Sequence, residues 1–354
     1  MKILVRATNW VGDAVMSIPA LAALRGCFPQ AEIAILARPW VADLYRDQGF
    51  LDRLLLFDHI GRHRGFLGLE RLACELRREE FDLAILLPNS FQSAWIAWRA
   101  AIPRRVGYAR DARSWFLTQP VKLPVPGEIP PHEPYYYLEL LRRFGLFEKL
   151  HAIERIGLRI DPTARDRAQE TLRRAGCRLG AMRIALAPGA AYGSAKCWPP
   201  DRFAALASGL IADFDADVIL FGTSSERVVA EKIAAGMRRH PVMLVGQTPI
   251  RDLPALLASC NLFIGNDSGA MHVAAAVGLP VVGIFGPTDP FGTAPVTPNS
   301  ALVQQPVSCS PCFLRHCPVD HRCMTRISVN HVYHAARQFI VSSRAAAPGS
   351  AGNA

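Results

Sequence analysis

The feature that most constrains the fold is an alternation of short apolar runs with amphipathic helical patterns, which occurs twice along the chain of 354 residues. Runs such as 3–7 and 83–87 have the length and composition of strands that are buried on both faces of a sheet. Strands that alternate with helices form parallel sheets with right-handed crossovers. The series restarts near residues 157–180, and a chain of this length suits two cores better than one. The sequence therefore predicts an α/β protein with two Rossmann-like domains.

The predicted elements follow this division. Strands are predicted at 3–7, 32–37, 54–57 and 83–87, and then at 183–187, 217–221, 242–245, 262–265 and 280–285. Helices are predicted at 14–27, 67–80, 91–101, 135–144, 163–177, 200–214, 227–238, 251–259, 272–277 and 331–343. The predicted domains are residues 1–160, a linker with the first helix of the second half at 161–180, a second domain at 181–343 and a disordered tail at 344–354.

The net charge of +10 indicates an anionic partner. Because the excess is spread evenly over both halves and no recognition motif is present, we expect no nucleic-acid partner. No apolar run reaches the roughly 20 residues that span a bilayer. The first six residues, MKILVR, carry charge too early for a secretory signal. The sequence therefore predicts a cytoplasmic protein.

Parallel sheets bind ligands at the carboxyl ends of their strands, so the loops there are candidate sites. The first strand is followed by TNWVGDAV at 8–15, in which Asp13 opens a helix. One interpretation is an N-cap worth about 1 kcal/mol, and the other is a functional carboxylate. The loop lacks the G-x-G-x-x-G pattern of dinucleotide-binding proteins.

Three loops of the second half carry phosphate-binding chemistry. Segment 188–199 combines small residues around Gly189 with Lys196, either as a phosphate cradle or as an ordinary surface loop. Segment 265–272 opens a helix whose free N–H groups favour a diphosphate. Glu226 follows another strand and is a candidate partner of a ribose diol.

Several of these segments together resemble a known family. They are NWVGDAVM at 9–16, PG with K-x-W-P within 188–199, NDSG-x-MH at 266–272, LLPNSF at 86–91 and LVGQT at 244–248. The combination resembles the ADP-heptose:lipopolysaccharide heptosyltransferases of glycosyltransferase family 9, over roughly residues 1–340. The resemblance implies a GT-B fold, with an N-terminal acceptor domain, a C-terminal nucleotide-sugar domain and a central cleft.

The resemblance also implies an activity and its residues. The expected reaction is inverting transfer of L-glycero-D-manno-heptose from ADP-heptose to the lipopolysaccharide inner core, with the second heptose as the expected product. Asp13 matches the general base, Lys196 the residue that neutralises the diphosphate, and Glu226 the ribose acceptor. The remaining donor-binding residues implied are Gly189, Asp267, Ser268, Gly269 and His272. No catalytic metal and no cofactor are expected, because cationic side chains and helix dipoles stabilise the leaving group.

The same fold is also compatible with a second class of activity. The alternative activity is a nucleotide-sugar epimerase or hydrolase on the same fold, although no second acid/base group stands out near the sugar. The expected acceptor is Kdo2-lipid A or its heptosylated form. The protein is expected to act as a monomer that lies peripherally on the anionic inner face of the inner membrane.

Two further residue sets have open roles. Basic loops on the N-terminal domain are candidates for contact with the acceptor or the membrane, and they contain Arg62, Arg64, Arg104, Arg105, Arg110 and Arg113. Arginine suits phosphate and carboxylate because its planar fork binds both oxygens. Four cysteines, spaced C-x2-C-x4-C-x5-C, are candidates for a structural zinc site, for reduced thiols, or for a disulfide or cluster. They are Cys309, Cys312, Cys317 and Cys323.

Overall fold

The computed structural model describes the backbone of residues 1–346 and the side chains of residues 1–343. The chain divides into two compact units, Met1–Arg159 and the part from Ile160 onward. Each unit is built on a six-stranded parallel sheet, which confirms the predicted α/β class with two sheets. Residues 347–354, which make up most of the predicted disordered tail, lie outside the described residues.

The first unit alternates strands and helices as its sequence indicates. Its strands are β1 (Lys2–Arg6), β2 (Glu32–Ala37), β3 (Arg53–Leu56), β4 (Leu83–Leu86), β5 (Arg104–Tyr108) and β6 (Gln119–Val121). Its helices are α1 (Val11–Met16), α2 (Ile18–Cys27), α3 (Pro39–Ala42), α4 (Gly65–Arg78), α5 (Phe91–Arg99) and α6 (Glu133–Arg143), with a 3-10 turn at Ser114–Phe116. The strand order in the sheet is β3-β2-β1-β4-β5-β6.

The second unit repeats this plan. Its strands are β7 (Arg183–Ala187), β8 (Asp217–Leu220), β9 (Val242–Met243), β10 (Leu262–Asn266), β11 (Val281–Phe285) and β12 (Ser300–Gln304). Its helices are α7 (Pro162–Arg174), α8 (Pro200–Phe214), α9 (Arg227–Ala235), α10 (Leu253–Ala258), α11 (Gly269–Ala276), α12 (Pro290–Thr293), α13 (Arg322–Thr325) and α14 (Val329–Ala346). Short 3-10 turns lie at Ser194–Lys196 and Ser224–Glu226. The strand order is β12-β11-β10-β7-β8-β9.

Both sheets have the order 3-2-1-4-5-6 when their strands are counted within each unit. This is the Rossmann order, in which the direction of the strand order changes between the first and fourth strands. The change lies between β1 and β4 in the first unit and between β7 and β10 in the second. Loops that follow these four strands therefore flank the position where such sheets bind ligands.

Continuous apolar strands form the centre of each core. Every residue of β4 and β10 is buried, because both faces of a parallel sheet are covered by helices. In the second unit, the fully buried Trp198 ring packs edge to face on Phe203, with ring centroids 5.0 Å apart. Its indole N–H donates to the carbonyl of Ile327 at 3.0 Å, so the polar group of this large side chain is satisfied.

Several predicted boundaries change. The single helix predicted at 14–27 is divided into α1 and α2 at Ser17, because Pro19 near the start of α2 has no N–H to continue the helical ladder. Three strands, β5, β6 and β12, lie where no strand was predicted. The tail residues 344–346 continue the last helix rather than starting a disordered segment.

Membrane-spanning helices need about 20 predominantly apolar residues. Within the described part of the chain, no helix combines the length and the apolar composition that a membrane span needs.

Candidate active site

The loop after β1 is held in place by two side chains outside it. The guanidinium of Arg6 donates to Asn9 Oδ1 at 2.7 Å, and the indole N–H of Trp40 donates to the Asn9 carbonyl at 2.8 Å. Burial lowers the pKa of Arg6 to about 9, with the charge of Arg38 as a second cause. A buried arginine with protein partners fixes the path of this loop and the start of α1.

Asp13 lies in the first turn of α1. The N-cap position is Trp10, so the interpretation of Asp13 as the N-cap is wrong. Asp13 is half-buried, and its charge acts on a group of polar side chains from two other segments. These are Tyr45, Glu133 and Tyr137.

Glu133 is the second carboxyl group of this cluster. It is the first residue of α6 and hydrogen-bonds with the hydroxyl of Tyr137. Burial first and the charge of Asp13 second raise the pKa of Glu133 to about 7. Two carboxyl groups that interact in this way bind a proton more tightly than either would alone. The structure thus places a second carboxyl group within electrostatic reach of Asp13, where the sequence indicated a single aspartate.

The Arg-rich segment after α5 differs from the predicted loop. Arg104 and Arg105 begin strand β5, and Arg105 donates to the carbonyl of Phe116 at 2.6 Å. Arg113 is fully buried, and burial lowers its pKa to about 10. Its guanidinium donates to the Tyr108 carbonyl at 2.9 Å and to Ser93 Oγ at 3.1 Å. The placement of Arg113 on an exposed loop is therefore wrong, because its side chain is buried and donates hydrogen bonds inside the first unit.

The other predicted arginines of the first unit are exposed. Arg62 pairs with Glu75, with 2.5 Å between the guanidinium and the carboxylate. Arg64 is the N-cap residue of α4, and Arg104 lies over the ring of Phe144 at 5.4 Å. Together with Arg110, whose side chain is more than half exposed, they offer charge at the surface.

In the second unit, the loop after β7 contacts the loop after β8. A Cβ atom at Gly189 would lie 1.7 Å from Glu226 Oε1, so only glycine fits beside this carboxylate. Glu226 Oε2 accepts a hydrogen bond from the Thr223 backbone N–H at 2.6 Å, in a capping box that starts α9. Glu226 thus keeps one oxygen for its own loop and directs the other towards Gly189.

Lys196 and Asp267 form a buried ion pair between the loops after β7 and β10. Lys196 Nζ lies 2.5 Å from Asp267 Oδ2, and both side chains are almost fully buried. Asp267 Oδ2 also accepts from the Thr288 hydroxyl at 2.7 Å. The ammonium group lies 4.9 Å from the centre of the Tyr192 ring. Asp267 therefore points at the lysine and not at the helix N-terminus.

The start of α11 presents polar groups to a ligand. Ser268 is the N-cap residue, yet its hydroxyl makes no capping bond and is buried without a hydrogen-bond partner among the described residues. The preceding Asn266 is fully buried and joins two loops, because it donates to the Pro188 carbonyl at 2.6 Å and accepts from the Trp198 N–H at 3.1 Å. Gly269 begins α11, and His272 is buried within it. A fixed helix N-terminus with an unsatisfied hydroxyl is suited to an anion.

The cysteine-rich segment, residues 308–324, packs on the Lys196 loop. Tyr192 donates to the Phe313 carbonyl at 2.6 Å, and the Ala195 N–H donates to the Arg315 carbonyl at 3.0 Å. His321 Nε2 lies 2.6 Å from the Ala195 carbonyl. These contacts make the segment a support for the loop that carries the lysine.

The structure does not gather the cysteines of this segment into the candidate zinc site. Within the described residues, no group of three or more His, Cys, Asp or Glu side chains is arranged to hold a metal ion. All four cysteines are free thiols, so the disulfide alternative is also not formed. Burial raises the pKa of Cys323 to about 11, whereas Cys309, Cys312 and Cys317 are exposed.

Some site residues escaped sequence reasoning. Arg6 had a detectable signal, because a charged residue ended an otherwise apolar strand. Glu133 followed a proline-rich stretch and had no such signal. The contact between Asp267 and Thr288 joins residues from two different strand ends, which only the folded sheet brings together.

Comparison with known proteins identifies the group to which these features correspond. The model of the family described as glycosyltransferase family 9 (heptosyltransferase) matches residues 69–322. The chain is 32% identical over 320 residues to lipooligosaccharide heptosyltransferase 2 of Haemophilus ducreyi, covering 86% of this chain and 88% of that protein. It is 30% identical over 311 residues to lipopolysaccharide heptosyltransferase 2 of Escherichia coli, with the same two coverages. The solved structure of E. coli ADP-heptose lipopolysaccharide heptosyltransferase II superposes with a TM-score of 0.82 at 26% identity, covering 97% of this chain and 100% of that one.

Proposed function

This chain belongs to glycosyltransferase family 9, the heptosyltransferases, and from that premise we propose how its residues carry out the reaction. The protein is a glycosyltransferase that moves heptose from ADP-heptose to the inner core of lipopolysaccharide. ADP-heptose is a substrate and not a resident cofactor. The observation that carries the residue assignment is the buried Lys196–Asp267 pair beside the N-terminus of α11.

We propose that the second unit binds the donor at the position where its sheet changes direction. Lys196 supplies positive charge to the diphosphate, and Asp267 holds the ammonium group in one place. The N-terminus of α11 supplies backbone N–H groups from Gly269 onward, together with the hydroxyl of Ser268. His272 lies on the same helix. As the bond to the sugar breaks, negative charge grows on the diphosphate, and these fixed donors stabilise it.

Glu226 and Gly189 are proposed to bind the ribose of the same donor. Glu226 Oε1 faces the backbone at Gly189, where no side chain intervenes. A carboxylate at this point accepts hydrogen bonds from a ribose diol, as acidic residues do in related sheets. The capping box with Thr223 holds this carboxylate still.

The proposed mechanism uses no metal ion, because Lys196 and the α11 N-terminus supply the charge that a metal would supply. We expect transfer in the presence of EDTA to proceed at the rate measured without it. Folding is monitored in parallel by circular dichroism. Activity that disappears with the chelator and returns with Mg²⁺ would contradict this assignment.

The first unit is proposed to carry the base and the acceptor. Asp13 takes the proton of the acceptor hydroxyl as its oxygen attacks the anomeric carbon, with inversion at that carbon. A carboxylate in the first turn of a helix is a weak base. Proton transfer that is late in an oxocarbenium-like transition state suits such a base.

The acceptor is proposed to be the inner core that already carries one heptose, since the relatives compared above are named heptosyltransferase 2. Phosphate and carboxylate groups of this acceptor, and an anionic membrane around it, would be met by exposed arginines of the first unit. These are Arg62, Arg64, Arg104 and Arg110. Arg105 and Arg113 support the same region through their backbone contacts.

The test is a transfer assay with ADP-heptose against Kdo2-lipid A and its monoheptosylated form. We expect product with the monoheptosylated acceptor and little with the other. Product from Kdo2-lipid A alone would assign the first heptose instead. Consumption of ADP-heptose without any acceptor would favour the epimerase or hydrolase alternative, which the family membership does not favour.

A further inference from the structure

One part of the first unit exposes large apolar side chains side by side. Trp115 is 90% exposed and Leu67 is 82% exposed. A single exposed apolar side chain is common on a protein surface, whereas a group of them is informative. We call the group to which they belong the aromatic face. It consists of Phe66, Leu67, Phe91, Trp95, Trp98, Trp115 and Phe116.

The rings of the aromatic face touch one another across three segments of the chain. Phe66 of α4 lies 5.6 Å from Trp95 of α5, measured between ring centroids. Phe116 of the 3-10 turn lies 5.1 Å from Phe91 and 5.3 Å from Trp98. These contacts form two groups of rings, and each group includes residues of α5. Exposed apolar residues that cluster in this way mark interaction sites.

Packing within the unit accounts for only two of these side chains, Trp95 and Phe116, which are partly buried against the core of the first unit. Phe91, Trp95 and Trp98 are spaced i, i+4 and i+7, so they form one stripe along α5. The helix is anchored to the core by a different stripe that contains the buried Ala94 and Ala97. A surface helix needs only one apolar stripe, so Phe91 and Trp98, which are 48% and 45% exposed, remain available to a partner.

Positive charge surrounds the aromatic face. Segment 61–78, which leads into and includes α4, contains five arginines and two glutamates. Arg64 precedes Phe66, whereas Arg99, which follows Trp98, is paired with Glu70. Tryptophan beside arginine is the combination that rests at the boundary between lipid headgroups and acyl chains. An apolar patch rimmed by positive charge complements an anionic lipid surface.

We propose that the aromatic face docks this protein on an anionic phospholipid bilayer, with Trp115, Phe66 and Leu67 inserted at the headgroup boundary. This inference rests on the proposed function, in which the acceptor is lipid-linked. It adds the surface through which the first unit reaches that acceptor. Insertion of bulky side chains supplies apolar burial, and the surrounding arginines supply attraction that salt weakens.

The experiment measures binding of the full chain to vesicles of phosphatidylglycerol and phosphatidylethanolamine by sedimentation. The double variant Leu67→Ser with Trp115→Ser removes the two most exposed side chains of the face without touching the core. We expect its vesicle binding to fall by about tenfold or more. The matched control is Leu179→Ser with Val319→Ser, since these side chains of the second unit are 100% and 72% exposed. We expect the control to bind as the unchanged protein does.

A second measurement separates docking from catalysis. Both variants are assayed with ADP-heptose and either a vesicle-bound acceptor or a deacylated, water-soluble acceptor. We expect the face variant to lose transfer only with the vesicle-bound acceptor. If the unchanged protein transfers heptose to neither acceptor, the proposed function fails. If the face variant transfers heptose to each acceptor as fast as the unchanged protein does, the docking proposal fails and the function stands.

Three results would overturn the docking proposal directly. The first is unchanged vesicle binding of the face variant. The second is an equal loss in the control variant, which would mean that any exposed apolar side chain contributes. The third is a dimer in solution that the face variant converts to a monomer without change in vesicle binding, because a second copy of this chain would then be the partner of the face.

Discussion

The charged groups in the loops of the second unit and those on the surface of the first unit are held in different ways. Lys196 is buried and paired with Asp267, which the Thr288 hydroxyl holds in turn. Arg64 and Arg110 of the first unit are exposed. Both units share one strand order, so this difference comes from the loops and not from the sheet. A small diphosphate is suited to fixed charges, whereas a large lipid-linked acceptor is suited to mobile side chains that adapt to it.

The largest effect on turnover is expected from Asp13, the carboxylate proposed as the base. Asp13→Asn removes the proposed base while keeping the shape of the side chain, so turnover should fall by about 10²-fold or more. The KM for ADP-heptose should change little, because the donor is assigned to the other unit. Steady-state kinetics of Asp13→Asn and of Asp166→Asn, an exposed position on α7, provide the comparison. Near-normal turnover in a folded Asp13→Asn protein would remove Asp13 from the mechanism.

The next effect concerns the fixed charge of the second unit. Lys196→Ala leaves one diphosphate charge uncompensated and leaves the buried Asp267 without its cation, so transition-state stabilisation should fall by about 2–4 kcal/mol. The measured quantity is kcat/KM for ADP-heptose. Lys232→Ala, at an exposed position of α9, is the control and should retain full activity. A Lys196→Ala protein whose defect appears only in the acceptor KM would reverse the roles assigned to the two units.

A smaller effect is expected where the loops of the second unit touch. The methyl group of Gly189→Ala would collide with Glu226 Oε1 and displace it from its capping box. Displacing Glu226 weakens its proposed hydrogen bond to the ribose, which is worth about 1 kcal/mol, so the donor KM should rise roughly fivefold to tenfold. Gly209→Ala is the control, because a Cβ there lies 3.7 Å from the Tyr333 ring in ordinary contact. An unchanged donor KM in Gly189→Ala would mean that Glu226 does not contact the donor.

The last effect is on the stability of the first unit and its pH dependence, and not on turnover. The folded pKa of Glu133, about 7, lies above its usual value of 4.5, so the folded state binds more protons than the unfolded state between these values. Stability attributable to this group is therefore complete below about pH 4.5 and is lost as the pH rises through 7. Glu133→Gln, which cannot ionise, should be more stable than the unchanged protein at pH 8 by about 1–3 kcal/mol and should differ little at pH 5.

Urea unfolding at pH 5 and pH 8 measures this difference. Glu148→Gln at an exposed position is the matched control and should show no pH-dependent gain. A Glu133→Gln protein with the same stability difference between the two pH values as the unchanged protein would mean that Glu133 is ionised throughout.

Sequence reasoning reached the fold through its apolar strands. Strands β1, β4, β7 and β10 are apolar over most of their length, so their position and parallel pairing were predictable. Strand β5 was missed because it begins with Arg104 and Arg105, which have no apolar signal. Strand β6 was missed because it contains Pro120, and proline argues against a central strand. The structure places β6 at the edge of its sheet, where proline is tolerated.

The site was predictable in its members but not in their contacts. Lys196 and Asp267 were both expected to bind the donor, yet they lie 71 residues apart and their ion pair depends on the pairing of β7 with β10. The burial of Arg113 was not predictable, because its carbonyl and hydroxyl partners come from strand β5 and helix α5. Local sequence identifies which residue types are present, and the sheet decides which of them meet.

The support of the Lys196 loop by segment 308–324 has an evolutionary consequence. Two of its contacts are made by backbone carbonyls, those of Phe313 and Arg315, and a backbone carbonyl is present whatever the side chain. The two carbonyl bonds therefore set no requirement on either side chain, although the Arg315 guanidinium also lies 5.3 Å from the centre of the Tyr192 ring. His321, whose imidazole contacts the same loop, has no such freedom. Diversity within this part of the chain can thus accumulate without altering the geometry of the lysine.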